Sequence, residues 1–250
     1  MKNNTPPKLS FYRMAFFIMV LLNAAFLVTG FTSKRNKINA EEIDAERINI
    51  VDSSGKLLMA LSNSRLIPGP SMNGKTYPRE YADGRQFFSG IIFYNPQGDE
   101  VGGLIYTGFP KDSGYFAMEH LSFDQWKQDQ VVALQYIDNG KTQRAGLRIY
   151  DRPKEVPLDE IFDRYKTKNA LPKNSHAYDS IMKEIKTSAD RGDNGAERMF
   201  IGSLDQEAQI QFRDKKGNIK LKLYVDDNGQ AKIVFLDEKG NIVKTLSGMK

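Results

Sequence analysis

From Ile48 onward, apolar residues recur at every second position in short runs, and each run closes with the same punctuation. An Asp or Asn ends the run, a glycine follows three residues later, and a second alternating run begins. The unit occurs in INIVDSSGKLLMALS (48–62), IIFYNPQGDEVGGLIY (91–106), IQFRDKKGNIKLKLYV (210–225) and IVFLDEKGNIVKTL (233–246). LQYIDNGKTQRAGLRIY (134–150) is a version with a shorter turn. Alternation with period two puts one side of a strand against a core and leaves the other wet. Asp52, Asn95, Asp214 and Asp237 can each accept a local backbone N–H, and Gly55, Gly98, Gly217 and Gly240 take positive φ without steric cost. In the last stretch Ile219, Leu221 and Leu223 face one way and Lys220 and Lys222 the other.

These units predict a mainly β protein, an antiparallel meander of hairpins closing into a barrel or sandwich. A small β-propeller is the alternative, because Gly55, Gly98 and Gly140 fall 43 and 42 residues apart, close to the length of a four-stranded blade. The period changes between residues 157 and 190. Leu158, Ile161, Phe162 and Tyr165, then Tyr178, Ile181, Met182 and Ile185, fall at i, i+3, i+4 and i+7, with Pro157 at the first start and Ser175 as a cap for the second. A helical hairpin inserted in the β domain is expected there.

A third pattern precedes both. Residues 14–31, MAFFIMVLLNAAFLVTGF, form the one long apolar run, broken by Asn23 and flanked by Arg13, Lys34 and Arg35. At ~1.5 Å per residue the run is about 27 Å long, against a hydrocarbon core of about 30 Å. It reads as a single transmembrane helix, with a signal peptide cleaved after Val28-Thr29-Gly30 as the alternative. The organisation expected is a tail (1–13), an anchor (14–31), a juxtamembrane linker (32–46) and one β domain (47–250).

Charge narrows the function classes. The chain has 36 Lys and Arg against 31 Asp and Glu, but Lys2, Lys8, Arg13, Lys34, Arg35 and Lys37 precede residue 38 with no acid among them. The 30 that remain balance the 31 acids, so the β domain lacks the phosphate-neutralising surplus of a nucleic-acid binder. No cysteine is present, which excludes disulfides and thiol chemistry, and two histidines leave little for a histidine-rich metal site. No catalytic residue, metal ligand or cofactor follows from the spacing.

Two short motifs tempt a sharper reading. GPSMNGKT (69–76) fits the phosphate-loop pattern, but Pro70 removes an N–H from the loop and no helical stripe follows Thr76. A Gly-rich surface turn explains it, as it does RGD at 191–193. GYFAMEHLSFDQWKQDQ (114–130) gathers polar and aromatic groups, and Tyr115, His120, Asp124 and Trp126 are the candidate rim of a ligand or partner site. The long segment 64–90 reads either as a solvated connector or, through Tyr77, Arg79 and Tyr81, as a further recognition surface.

The runs ERINIVDSSGKLLMALSN, GDEVGGLIY, FDQWKQDQVVALQY and FLDEKGNIV make the chain resemble uncharacterised bacterial membrane-anchored proteins built of β-hairpin repeats, over most residues from about 46. That resemblance implies no activity. The expectation is a single-pass protein of the bacterial inner membrane, held by Met14 to Phe31, whose extracytoplasmic β domain serves binding or structural interaction in the cell envelope, with an envelope protein as its partner. The alternatives are a carboxylate-based hydrolase or transferase around Asp124 and Asp129, a small-molecule- or lipid-binding β-barrel, and secretion after signal cleavage.

Overall fold

The computed structural model describes residues 8–31, 38–82, 84–112, 114–154, 157–190 and 195–248. The chain divides into two compact units between Asp44 and Ala45. The first contains helix α1, Lys8–Phe31. Among the described residues no helix is long and apolar enough to cross a membrane. The side chains of α1 are described only from Phe11 to Ala24, so the last part of the expected anchor, residues 25–31, lies outside them. The one polar interruption, Asn23, donates its amide to the Met19 carbonyl at 2.8 Å, so it is satisfied within its own helix.

The second unit holds β1 (Arg47–Val51), β2 (Leu57–Ser62), β3 (Ser71–Met72), β4 (Lys75–Thr76), β5 (Ser89–Tyr94), β6 (Glu100–Lys111), β7 (Gly114–Asp124), β8 (Gln130–Asp138) and β9 (Gln143–Asp151). After the helical hairpin α2 (Leu158–Ala170) and α3 (His176–Asp190) come β10 (Ala196–Leu204), β11 (Glu207–Arg213), β12 (Ile219–Val225), β13 (Ala231–Leu236) and β14 (Ile242–Ser247). Apart from the small β3–β4 hairpin, all strands join one twelve-stranded antiparallel sheet in the order β1-β2-β5-β6-β7-β8-β9-β10-β11-β12-β13-β14. The meander is as expected.

Closure is not. The edges β1 and β14 pair only with β2 and β13, so the sheet is neither a barrel nor a set of propeller blades, and among the described residues no second large sheet stacks on it. Hairpins between consecutive strands fix pairing locally, but closure requires the two end strands to meet in register. Here every residue of β14 is exposed, and the segment 63–88 with α2 covers part of one face instead.

The hairpin corners are built as their spacing predicts. Asp52 Oδ1 accepts from the Ser54 and Lys56 amides at 2.8 and 3.0 Å, while Gly55, at φ +86°, donates to the Asp52 carbonyl. Asn95, Asp214, Asp226 and Asp237 repeat the arrangement. Ser175 caps α3, accepting from the Tyr178 amide at 3.1 Å.

Register turns the alternation into two unlike faces. One row crosses all twelve strands as Ile48, Leu61, Ile91, Leu104, Leu121 and Leu134, continuing as Leu147, Ile201, Ile210, Leu223, Ile233 and Leu246. A second row on the same face runs from Ile50, Met59 and Phe93 through Gly102, Phe123 and Val132 to Ile149, Met199, Phe212, Leu221, Phe235 and Lys244. This apolar face is bare: Leu134 is 56 % exposed, Phe123 52 % and Leu61 45 %. The compact core sits on the other side, where Ala60, Ile92 and Met118 meet Ile67 and Phe88 of the long connecting segment. Ala60 and Ile92 are cross-strand partners, one residue out of phase with Leu61 and Ile91.

Candidate functional site

On that second face the sheet carries a cavity of about 370 Å³. Its floor is Ile92 of β5, Gly103 and Ile105 of β6, and His120, Ser122 and Asp124 of β7. Three residues of one strand reach it because they lie two apart. Gly103 keeps the floor flat, since a Cβ there would lie 2.6 Å from the Ile91 carbonyl oxygen.

The roof comes from segments the strand pattern does not announce. Ile67, Pro70 and Met72 close one side, and Leu158, Ile161 and Phe162 of α2 close the other. The helical stripe of α2 is therefore spent on the cavity wall. GPSMNGKT forms the β3–β4 hairpin: Asn73 and Gly74 take φ of 52° and 73°, and the Tyr77 amide donates to Pro70 O at 2.7 Å. An Asn-Gly pair in this conformation is the two-residue hairpin turn. It feeds no helix, so the segment is no phosphate loop. The hairpin is pinned from both sides. Buried Asp99 accepts from the Asn73 amide at 2.7 Å and pairs with Lys127 at 2.6 Å, and the Tyr77 ring packs on Phe162 with centroids 5.0 Å apart. Arg79 donates to the carbonyls of Ser64 and Arg65, which ties the segment to itself. Tyr77 and Arg79 are thus structural here.

Charges within the cavity are nearly all matched. Arg85, buried, holds Glu100 through two hydrogen bonds of 2.9 and 2.8 Å and donates to Pro68 O at 2.7 Å. Arg152 pairs with Asp129 at 2.9 Å. Asp124 is the exception. Among the described residues no group hydrogen-bonds its carboxyl, and burial, reinforced by the charges of Glu100 and Asp129, pushes it from 3.8 up to about 8 against the opposing pull of Arg152 and Arg85. At neutral pH it is mostly protonated.

His120 is buried, and burial lowers its pKa, with Asp129 opposing and Arg148 adding to the effect. Arg148 donates to Gln135 Oε1 at 2.7 Å, which orients that amide so that its NH₂ faces His120 Nδ1 at 2.9 Å. Nδ1 must then accept, and the ring proton sits on Nε2. Behind Arg148 lies Glu197, shared with Arg144 and Arg213.

Of the candidate rim, the structure brings His120 and Asp124 into one cavity with Asp129. Tyr115 lies at the far end of β7, donating to Asp138 at 2.9 Å, and Trp126 is 64 % exposed on the β7–β8 turn beside Lys127. Arg85, Glu100, Arg152 and the α2 roof were not legible as site residues, because nothing in their local spacing distinguishes them from solvated charges or an ordinary helical stripe. RGD at 191–193 lies outside the described residues. Among the described residues no group of three or more His, Asp or Glu could hold a metal ion. Compared with known proteins, the chain matches no family model, no curated protein and no solved structure.

Proposed function

We propose that the chain is a membrane-tethered binding domain of the bacterial envelope, held outside the cytoplasm by residues 14–31, whose cavity takes a small organic cation with an apolar body. The observation that carries this reading is the one unmatched carboxyl, Asp124, in a largely apolar cavity where Glu100 and Asp129 already have arginine partners. A volume of about 370 Å³ suits a compact ligand. An ammonium head would displace the proton from Asp124 and pair with its carboxylate, while Ile92, Ile105 and Phe162 would receive the body. Kinship with anchored hairpin-repeat proteins belongs to the same proposal.

The test is a thermal-shift series on the full chain in detergent with primary and quaternary amines and their neutral isosteres. Amines are expected to stabilise the protein more strongly as pH rises toward 8, with release of a proton, and Asp124→Asn to remove the effect. Stabilisation by neutral isosteres alone, unchanged in D124N, would sink the reading. The tether has its own test: protease added to intact spheroplasts should digest the domain, and protection until lysis would reverse the orientation. Hydrolysis is the second reading, favoured by a protonated Asp124 beside the ion-paired carboxylate of Asp129, the division of roles that acid–base pairs use. Turnover of a glycoside or ester panel lost in both D124N and D129N would support it.

A further inference from the structure

We infer that the bare apolar face of the sheet is the interface of a homodimer, covered face to face by a second copy about a twofold axis parallel to the strands and running between β8 and β9.

A sheet that is apolar on one side is unfinished until that side is covered. Twelve strands at ~4.8 Å span about 50 Å, and two rows ~7 Å apart cover about 14 Å, so the doubly apolar band alone measures roughly 700 Å². That exceeds the few hundred Å² a soluble monomer usually leaves exposed. It also approaches the ~800 Å² per partner of a standard stable interface before any side-chain relief is counted. A copy of the same chain has the same hand and degree of twist, so it can follow this surface along its whole width, as paired sheets do in sandwiches.

The rows themselves choose the symmetry. A face-to-face twofold axis between β8 and β9 lays β1 over β14 of the second copy, β6 over β11 and β8 over β9, and each row over itself. The first row then meets aliphatic with aliphatic throughout, Leu134 over Leu147 at the centre and Ile48 over Leu246 at the edge. In the second row, Phe212 of β11 lies over Gly102 of β6. A third row on this face runs through Tyr106, Glu119 and Tyr136 in the first half of the sheet and through the smaller Ala145, Ser203 and Ala208 in the second. The same axis seats Tyr106 over Ala208 and Tyr136 over Ala145. Large lies over small at each of these places, although nothing within one chain requires it. Tyr106 and Phe212 are 54 % and 43 % exposed in the single copy.

The chain lacks cysteine, which makes single-cysteine variants clean probes. In the full chain in mild detergent, light scattering should give the mass of two copies. Sheets stack ~10 Å apart, so the two Leu134 side chains of such a dimer come within reach of a short bis-maleimide, whereas the two Ile48 side chains sit about 50 Å apart. Leu134→Cys is expected to yield a covalent dimer and Ile48→Cys none. Leu134→Lys, at a side chain that is 56 % exposed in one copy and flanked only by Leu121 and Leu147 of its own row, should leave the circular dichroism spectrum intact and reduce the mass to one copy. Ala208→Tyr should weaken the dimer and Tyr106→Ala added to it should restore it, a compensation that general loss of folding cannot mimic. A single-copy mass at about 10 µM, with or without a bound amphiphile, would overturn the inference. So would equal cross-linking at residues 48 and 134, or a two-copy mass unchanged in L134K.

Discussion

Replacing Asp124 by Asn removes a group whose protonation should make the protein less stable as pH rises. An ordinary aspartate titrates near 3.8, and burial beside Glu100 and Asp129 moves this one to about 8. Between those values the folded chain holds a proton that the unfolded chain has released, so each rise in pH favours the unfolded state. One unit is worth ~1.4 kcal/mol, so three units from pH 5 to 8 give about 4 kcal/mol if the carboxyl is fully dry. Asp124 keeps some surface toward the cavity, and partial hydration lowers this to roughly 2–4 kcal/mol. For a domain of this size that is a fall of about 6–12 °C in Tm at 3 kcal/mol. Asparagine stays neutral, so the stability of D124N relative to the wild type should rise by that margin between pH 5 and pH 8. His120 acts in the opposite direction: burial depresses its pKa, so its contribution is complete above the usual histidine range and is lost as pH falls. It cancels in the difference between wild type and D124N, which is the quantity to measure, by urea or thermal unfolding at half-unit steps. Parallel profiles from pH 5 to 8 would refute the claim that this carboxyl is held neutral.

Two further substitutions test how the cavity is built. Arg85→Met leaves Glu100 uncompensated beside Asp124 and should cost about 3–5 kcal/mol in urea unfolding, while adding Glu100→Gln should recover much of it. Gly69→Ala would set a Cβ 1.8 Å from the Tyr77 carbonyl oxygen and should displace the β3–β4 hairpin, read as faster proteolysis of segment 63–88. Gly74→Ala has open space but a left-handed φ of 73°, so it should cost only about 1 kcal/mol and leave proteolysis nearly unchanged.

Local features of the fold were legible because they are local in origin. An Asx side chain that accepts its own loop amides and a glycine three residues on specify a corner whatever surrounds it, so the hairpins at Asp52, Asn95, Asp214 and Asp237 stand where the spacing puts them. The two helices follow from a period that needs only one apolar stripe. Closure was not legible, since alternation says that two faces differ and nothing about what lies over either. In HLSFDQW, alternation taken alone would put the apolar residues Leu121 and Phe123 on the buried side. In the single chain it is His120 and Ser122 that are buried, because the 63–88 segment and α2 come to rest on their face. The site suffered from the same gap. Asp124 and His120 could be named as a pair because they share a strand and a parity. Arg85, Glu100 and Arg152 join them only through tertiary contacts that no window of sequence contains.

One residue of phase therefore separates two kinds of surface along every strand of the sheet. On β7, Leu121 belongs to an aliphatic row with none of the described residues over it, while its neighbours His120 and Ser122 floor a roofed cavity. The aliphatic side has large area and mostly apolar chemistry, which is what association of rigid sheets needs. The cavity side has small volume and one unmatched charge, which a small ligand can use and another sheet cannot enter. If both proposals hold, a tethered dimer carries its two cavities on its outer faces, open to the surroundings, and the alternation pattern that could not identify the core in the sequence is what keeps binding and assembly on opposite sides of the same strands.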